Sequence, residues 1–235
     1  MKTKKIIGVL GGMGPQASSR FYSYLINKSI TDYNVKNNNE FPEILLDSIP
    51  VPDFISDTES MKIAEEMLID RVRRLSLYPV DILCIACNTA HILLPKLRRF
   101  TITPFISLID EVHKEIKTNR LNRVGLLSSM TTYNEGLYQK KGQGFELIYP
   151  KNKMRLLLEK SIRQVIAGED EENIAKDIYP ELDKYITQNQ LEAVIIGCTE
   201  LSVIFGQDRS VPRIDSLGVL ANAVLKRYYN SAKKS

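Results

Sequence analysis

The sequence predicts an α/β protein made of two pseudo-symmetric, doubly wound lobes with parallel sheets and an active site in the cleft between them. Three observations predict it. Short apolar runs that end in Gly, Asn or Ser alternate with longer stretches of helical period, the order expected of βαβ units. The pattern starts afresh past the polar residues Thr118–Leu121. Two cysteine turns, "IACNTAH" (Ile85–His91) and "IIGCTEL" (Ile195–Leu201), close the two halves in matching settings 111 positions apart. The 235 residues suffice for two small lobes. The expected boundaries are 1–104 for the first lobe, to which 213–235 returns, and 105–212 for the second.

The elements follow in order. "KIIGVLGG" (Lys5–Gly12) reads as a buried strand meeting a glycine turn, and Pro15 suits the first turn of a helix over Pro15–Ile30. A second strand is expected at Glu43–Ile49, then a loop, with Ser56, Asp57 and Thr58 as candidate N-caps for a helix over Glu59–Leu77. A third strand at Val80–Ala86 leads into a helix over Asn88–Phe100 that Pro95 kinks; a short fourth strand at Pro104–Ile109 leads into a helix from Asp110. The second half repeats the scheme. Strands are expected at Asn122–Ser129, Phe145–Pro150, Leu191–Gly197 and just after Val211. Helices are expected at Thr131–Gly142, Leu156–Gly168, Ile174–Asn189 and at the C-terminal end. In such sheets ligands bind beyond the carboxyl ends of the strands, so facing lobes would bring both cysteines to one cleft.

Composition narrows the function classes. Hydrophobic residues make up 43% and charged residues 26%, ordinary for a globular protein, and the net charge of +4 is slight and dispersed. The basic clusters read as solvated faces, with no nucleic-acid partner expected. No apolar run reaches the length of a membrane span or an export signal, and no membrane partner is expected. Three cysteines without framework spacing point to free thiols in a reducing compartment, so a cytoplasmic location is expected.

Cys84 lies inside an apolar run and reads as core. Cys87 and Cys198 each end a strand and precede a helix start, where unpaired N–H groups and the helix dipole favour a thiolate. No ligand set for zinc is completed, and no metal is expected. A lone cysteine nucleophile would want a histidine, and His91 lies four residues from Cys87. Two matching thiols suit another task, in which one takes a proton from a carbon while the other delivers one to the opposite face. Asn88, Thr89 and Thr199 fall on first-turn positions, where they either cap a helix or help hold a carboxylate.

"GVLGGMGPQAS", "CNTAH", "EGLYQ" and "GCTEL" together resemble the aspartate/glutamate racemase superfamily in its aspartate racemase branch, in order and over nearly the whole chain. "GMGPQA" also fits a dinucleotide pattern, but no acidic residue ends a strand about 20 residues further on, which argues against a nicotinamide cofactor. The resemblance implies a racemase that needs no cofactor, acts on a small-molecule amino acid, has two pseudo-symmetric lobes, and forms a homodimer. It implies Cys87 and Cys198 as the two acid/base thiols. Gly12 and Met13 of the glycine turn, Asn88, Thr89, Thr132 and Thr199 match positions that line the cleft and hold the α-carboxylate. Glu200 stands where the glutamate racemase branch has histidine.

The chain also departs from the family's pattern. Members acting on aspartate read "PDRT" where this chain has "VPDFISDT", so Phe54 occupies the place of an arginine that binds the side-chain carboxylate. A second basic position, in "QVIAG", is Ile166. A guanidinium fork has no substitute in a phenyl ring, so the expected substrate is an amino acid with a neutral or apolar side chain unless Arg20, Lys160 or Arg163 compensates. Two other readings stand beside this one. One is a maleate isomerase-like or decarboxylase-like enzyme using a cysteine nucleophile; the other is a non-catalytic amino-acid-binding protein.

Overall fold

The computed structural model describes residues 5–52, 58–205 and 212–232. The chain divides into two compact units, Met1–Leu108 with Leu217–Ser235, and Ile109–Ser216. It passes from one unit to the other twice, each time at the junction between a strand and the helix after it.

The first unit holds a parallel sheet of β1 (Ile6–Gly11), β2 (Glu43–Ser48), β3 (Val80–Ile85) and β4 (Phe105–Ile106) in the order β2-β1-β3-β4. β1 is buried along its whole length because both of its faces are covered, which is why it reads as an unbroken apolar run. The β1–β3 register shifts between Ile6 and Ile7, and the Asp81 carboxylate accepts the Ile6 N–H there at 2.8 Å. Helix α1 (Pro15–Tyr33) starts on a proline and buries Ala17, Phe21, Leu25 and Ser29, one side chain per turn on one face. It ends at Asn34, whose left-handed φ of 57° reverses the chain. Helix α2 (Thr58–Leu75) packs Ala64, Leu68 and Val72 into the core. Ser56 and Asp57, two of the three expected cap candidates, lie outside the described residues.

The second unit repeats the order with β5 (Arg123–Leu127), β6 (Glu146–Ile148), β7 (Ala193–Ile196) and β8 (Arg213–Asp215) as β6-β5-β7-β8, all parallel. Its helices include α4 (Leu108–Thr118), α5 (Met130–Asn134), α6 (Asn152–Ile166) and α7 (Glu171–Asn189). Where β5 runs past the end of its pairing with β6, the Tyr185 hydroxyl accepts the Leu126 N–H at 3.1 Å and donates to the Ile148 carbonyl at 2.7 Å. Gly125 permits this approach, since a Cβ there would lie 2.8 Å from that hydroxyl. The last helix, α9 (Ser216–Ala232), belongs to the first unit from Leu217 onward and stacks Tyr229 on Tyr33 there, with ring centroids 4.3 Å apart.

Two expected helices are much shorter than their sequence pattern. Asn88–Phe100 is broken into a 3-10 turn (Thr89–Ile92), the four-residue α3 (Leu94–Leu97) and a second 3-10 turn (Arg98–Phe100). The cause is local: the His91 ring takes the Cys87 carbonyl at 2.8 Å, and the His91 N–H bonds to Asn88 O at 3.0 Å instead. Thr131–Gly142 contains only α5, because Gly136 enters the left-handed region at φ 57°. The Leu137 and Gly136 N–H groups then close on the Thr132 and Tyr133 carbonyls, a Schellman stop. A 3-10 turn at Asn38–Glu40, unexpected from the apolar pattern, is held by a capping box between Asn37 and Glu40.

Candidate active site

In both units the strand order reverses between the first and third strands in sequence. This is the switch point at which doubly wound sheets open a crevice at their carboxyl ends. The same backbone bond marks it twice: Ala86 N donates to Leu10 O at 2.9 Å, and Gly197 N donates to Leu127 O at 2.7 Å. Cys87 and Cys198 each follow that bond by one residue. Each is the first side chain beyond the ladder at the switch point of its own sheet. The register therefore makes the two cysteines equivalent, and makes Gly12 equivalent to Ser129.

Burial does not single them out. Cys87 is 6% exposed and Cys198 is 5% exposed, while Cys84, inside β3, is wholly buried. The difference is position. The Cys84 thiol reaches the Gly8 carbonyl of the neighbouring strand, at 3.7 Å, and burial pushes its pKa up, so it remains a neutral core thiol. Cys87 packs on a cluster with Ile49, Ala90 and Leu93, against which Met13 also rests. Cys198 packs with Leu127, Leu201 and Phe205.

The turn after β1 has little freedom. Gly12 has φ +90°, and a Cβ on it would lie 2.8 Å from the Ile49 carbonyl carbon and closer still to that residue's N and O. Its N–H donates to the buried Ser18 hydroxyl at 2.8 Å, and that hydroxyl donates on to Gly14 O at 3.1 Å. The equivalent turn after β5 is built from hydroxyls. Ser129 Oγ accepts the Thr132 N–H at 3.2 Å and donates to Thr132 Oγ1 at 3.1 Å, so Ser129 caps α5 and fixes Thr132.

The two cysteines differ in their neighbours. Asn88 and Thr89, buried, begin the 3-10 turn after Cys87, with no side-chain capping bond. After Cys198 comes Thr199, then Glu200, which leads into α8 (Leu201–Ile204). Glu200 is 6% exposed, and its Oε2 accepts from the Cys198 thiol at 3.0 Å and from the Thr199 hydroxyl at 2.9 Å. The carboxylate is thus turned onto the thiol. Neither cysteine heads a long helix, so the expected dipole effect is confined to one short turn in each unit.

His91 is spoken for. Its Nε2 accepts the Leu108 N–H at 3.0 Å, so that nitrogen carries the lone pair and the proton sits on Nδ1, which donates to the Cys87 carbonyl. The neutral ring bridges the Cys87 turn to the end of β4 and leaves no lone pair for the Cys87 thiol. Ser202, equally four residues beyond its cysteine, does the same for the second unit by donating to Asp215 of β8 at 2.8 Å. Among the described residues no group of three His, Cys, Asp or Glu side chains is placed to hold a metal ion, and no helix is long and apolar enough to cross a membrane.

Of the basic residues that could meet a substrate's side-chain carboxylate, Arg20 and Arg163 have other engagements and Lys160 faces solvent. Arg20 Nε donates to Tyr24 Oη at 3.1 Å, Arg163 pairs with Glu159 one turn away at 3.3 Å, and Lys160 is exposed on α6. Ile166 is 48% exposed at the end of α6, and Phe54 lies outside the described residues. Ser18, which ends the glycine-turn motif, and Ser128 and Ser129, which no motif includes, are site neighbours; the spacing of Ser129 and Thr132 is a legible N-cap signal.

The Asp/Glu/Hydantoin racemase family matches residues 10–224. The chain is 28% identical over 232 residues to the broad specificity amino-acid racemase RacX of Bacillus subtilis, covering 95% of this chain and 98% of that one. It superposes on an aspartate racemase homologue from Pyrococcus horikoshii with a TM-score of 0.80 at 27% identity, covering 96% and 99% of the two chains. Against the aspartate racemase of Picrophilus torridus the TM-score is 0.76 at 27% identity, over 95% and 94%. With its paired parallel sheets and its matched strand-end turns, the chain belongs to the Asp/Glu/Hydantoin racemase family.

Proposed function

We propose that this amino-acid racemase inverts the α-carbon with two thiols, Cys87 and Cys198, one on each face of the substrate, and uses no cofactor. The observation that carries the reading is the equivalence of the two cysteines, each one residue past the same ladder bond at the switch point of its sheet. Racemisation asks for an acid and a base on opposite faces of one carbon that exchange roles with direction, and two equivalent thiols meet that demand. A single nucleophile at Cys87 would need a base, and the neutral, doubly bonded His91 does not supply one there.

Removing an α-proton leaves negative charge spread onto the carboxylate, which donors already in place must stabilise. Asn88 and Thr89 beside Cys87, and Thr132 and Thr199 in the second unit, are the proposed carboxylate holders, with Gly12 and Met13 shaping the turn beside Cys87. Glu200 has a second part: accepting from the Cys198 thiol, it orients Sγ and gives the thiol proton somewhere to go when Cys198 abstracts. The proposed substrate has a neutral or apolar side chain, because Phe54 and Ile166 stand at the two expected basic positions. The broad specificity named for the Bacillus subtilis relative agrees with this. The enzyme is proposed to act as a homodimer in the cytoplasm.

The test is a panel of L- and D-amino acids in deuterated water, with α-proton loss followed by NMR. Exchange from both enantiomers of neutral amino acids is expected. No exchange with any amino acid would remove the racemase mechanism, and turnover confined to aspartate or glutamate would remove the inference from Phe54.

A further inference from the structure

Away from the strand-end turns, the second unit contains a recess of about 340 Å³ between α4 and the loop that follows α5. Lys114 and Lys117 line it from α4, and Lys140 and Lys141 from the loop, against one carboxylate, Asp110. Lys140 pairs with Asp110, and Lys114 pairs with Glu111 outside the lining. Among the described residues Lys117 and Lys141 have no carboxylate partner. Ammonium groups gathered around one hollow repel one another across distances within a Debye length of about 10 Å, a cost that a bound anion removes.

The floor of the recess is specific. His113 is 6% exposed, packs edge-on against Phe145 at 5.2 Å, and donates from Nε2 to the Tyr138 carbonyl at 2.9 Å. That bond leaves Nδ1 of the neutral ring with no partner among the described residues. Burial first, then the Lys140 charge, holds the ring's pKa below its ordinary value, as expected of an imidazole in a positive field. The loop is braced rather than loose. Gln143 accepts the Lys140 N–H at 2.9 Å and donates to the Phe145 carbonyl at 3.0 Å.

We propose that this recess binds a small phosphate-bearing molecule, gripped by Lys117 and Lys141 with Lys114 and Lys140 beside them. Its volume is that of a small-molecule site. Lysines bind phosphate as point charges, and several of them around one hollow match the multiple charge and several oxygens of a phosphate group. The site lies in one unit and involves neither Cys87 nor Cys198, so it stands or falls apart from the racemase mechanism.

The test is calorimetric titration of the full chain with inorganic pyrophosphate at low salt, with inorganic phosphate as a second probe. Saturable binding of one pyrophosphate per chain is expected, weaker for phosphate and weakened by added salt. Lys117→Ala with Lys141→Ala, both exposed positions, should lower the affinity about tenfold or more. Lys160→Ala with Lys184→Ala, exposed lysines elsewhere, should leave it unchanged. The proposal is overturned if millimolar pyrophosphate does not saturate, if both lysine pairs weaken binding equally, or if only vesicles of anionic phospholipid bind.

Discussion

Replacing Glu200 with glutamine separates the charge of that side chain from its shape. In the structure one oxygen, Oε2, accepts both the Cys198 thiol at 3.0 Å and the Thr199 hydroxyl at 2.9 Å in a site only 6% exposed. Hydrogen bonds to a charged acceptor are worth about 1.5–3 kcal/mol and neutral ones about 0.5–1.5 kcal/mol, so the thiol's bond weakens by about 1–2 kcal/mol. Taken from the transition state, that is about a five- to thirtyfold loss of rate. The amide also cannot take up the proton when Cys198 abstracts. Because L and D forms are equally stable, kcat/KM must fall by the same factor in both directions, which chiral chromatography of reactions started from each enantiomer would measure. Glu200→Asp keeps the charge and should recover part of the loss. Wild-type turnover in Glu200→Gln, or no difference between Glu200→Gln and Glu200→Asp, would refute the role drawn from this contact.

Two stability predictions rest on single positions. Gly12→Ala forces a side chain into a left-handed backbone and against the Ile49 backbone, for about 2–5 kcal/mol from strain and overpacking together. Gly144→Ala has the same sign of φ but open space around the new Cβ, and should cost only about 1–2 kcal/mol by urea titration. Alkaline pH should loosen the fold in steps. Burial raises the pKa of Cys84 above its ordinary 9.0, and of Tyr138 and Tyr185 above 10.0, so the protonated forms are favoured in the folded state. Their contribution is intact below the unfolded pKa and is lost as pH rises above it, at about 1.4 kcal/mol per pH unit and per group. Cys84→Val should remove the part that begins near pH 9, and an unchanged denaturation profile between pH 8 and 10 would contradict the assignment.

The parallel βαβ organisation was legible because β1 and β7 are buried throughout and read as unbroken apolar runs, and β3 is interrupted only by the exposed Asp81. The cysteine turns were legible because a strand pattern stops at each of them. What periodicity could not show was competition for backbone partners. His91 takes a carbonyl that a continuous helix would have used, and this shortens the segment after Cys87. Gly136 ends α5 early, a stop signal present in the sequence but outweighed by the apolar spacing around it. The turn of the Glu200 carboxylate onto a thiol two residues back depends on local backbone path, which residue types alone do not specify. The lysine recess joins α4 to a loop some 25 residues later, so no local window contains it.

The two-thiol claim is tested most directly by α-proton exchange in deuterated water with Cys87→Ser, Cys198→Ser and Cys84→Ala, using an amino acid that the wild type turns over. The account predicts that each of the first two variants loses racemisation about a hundredfold or more while staying folded, and that Cys84→Ala, a core substitution, retains it. Racemisation at the wild-type rate by either serine variant would contradict it.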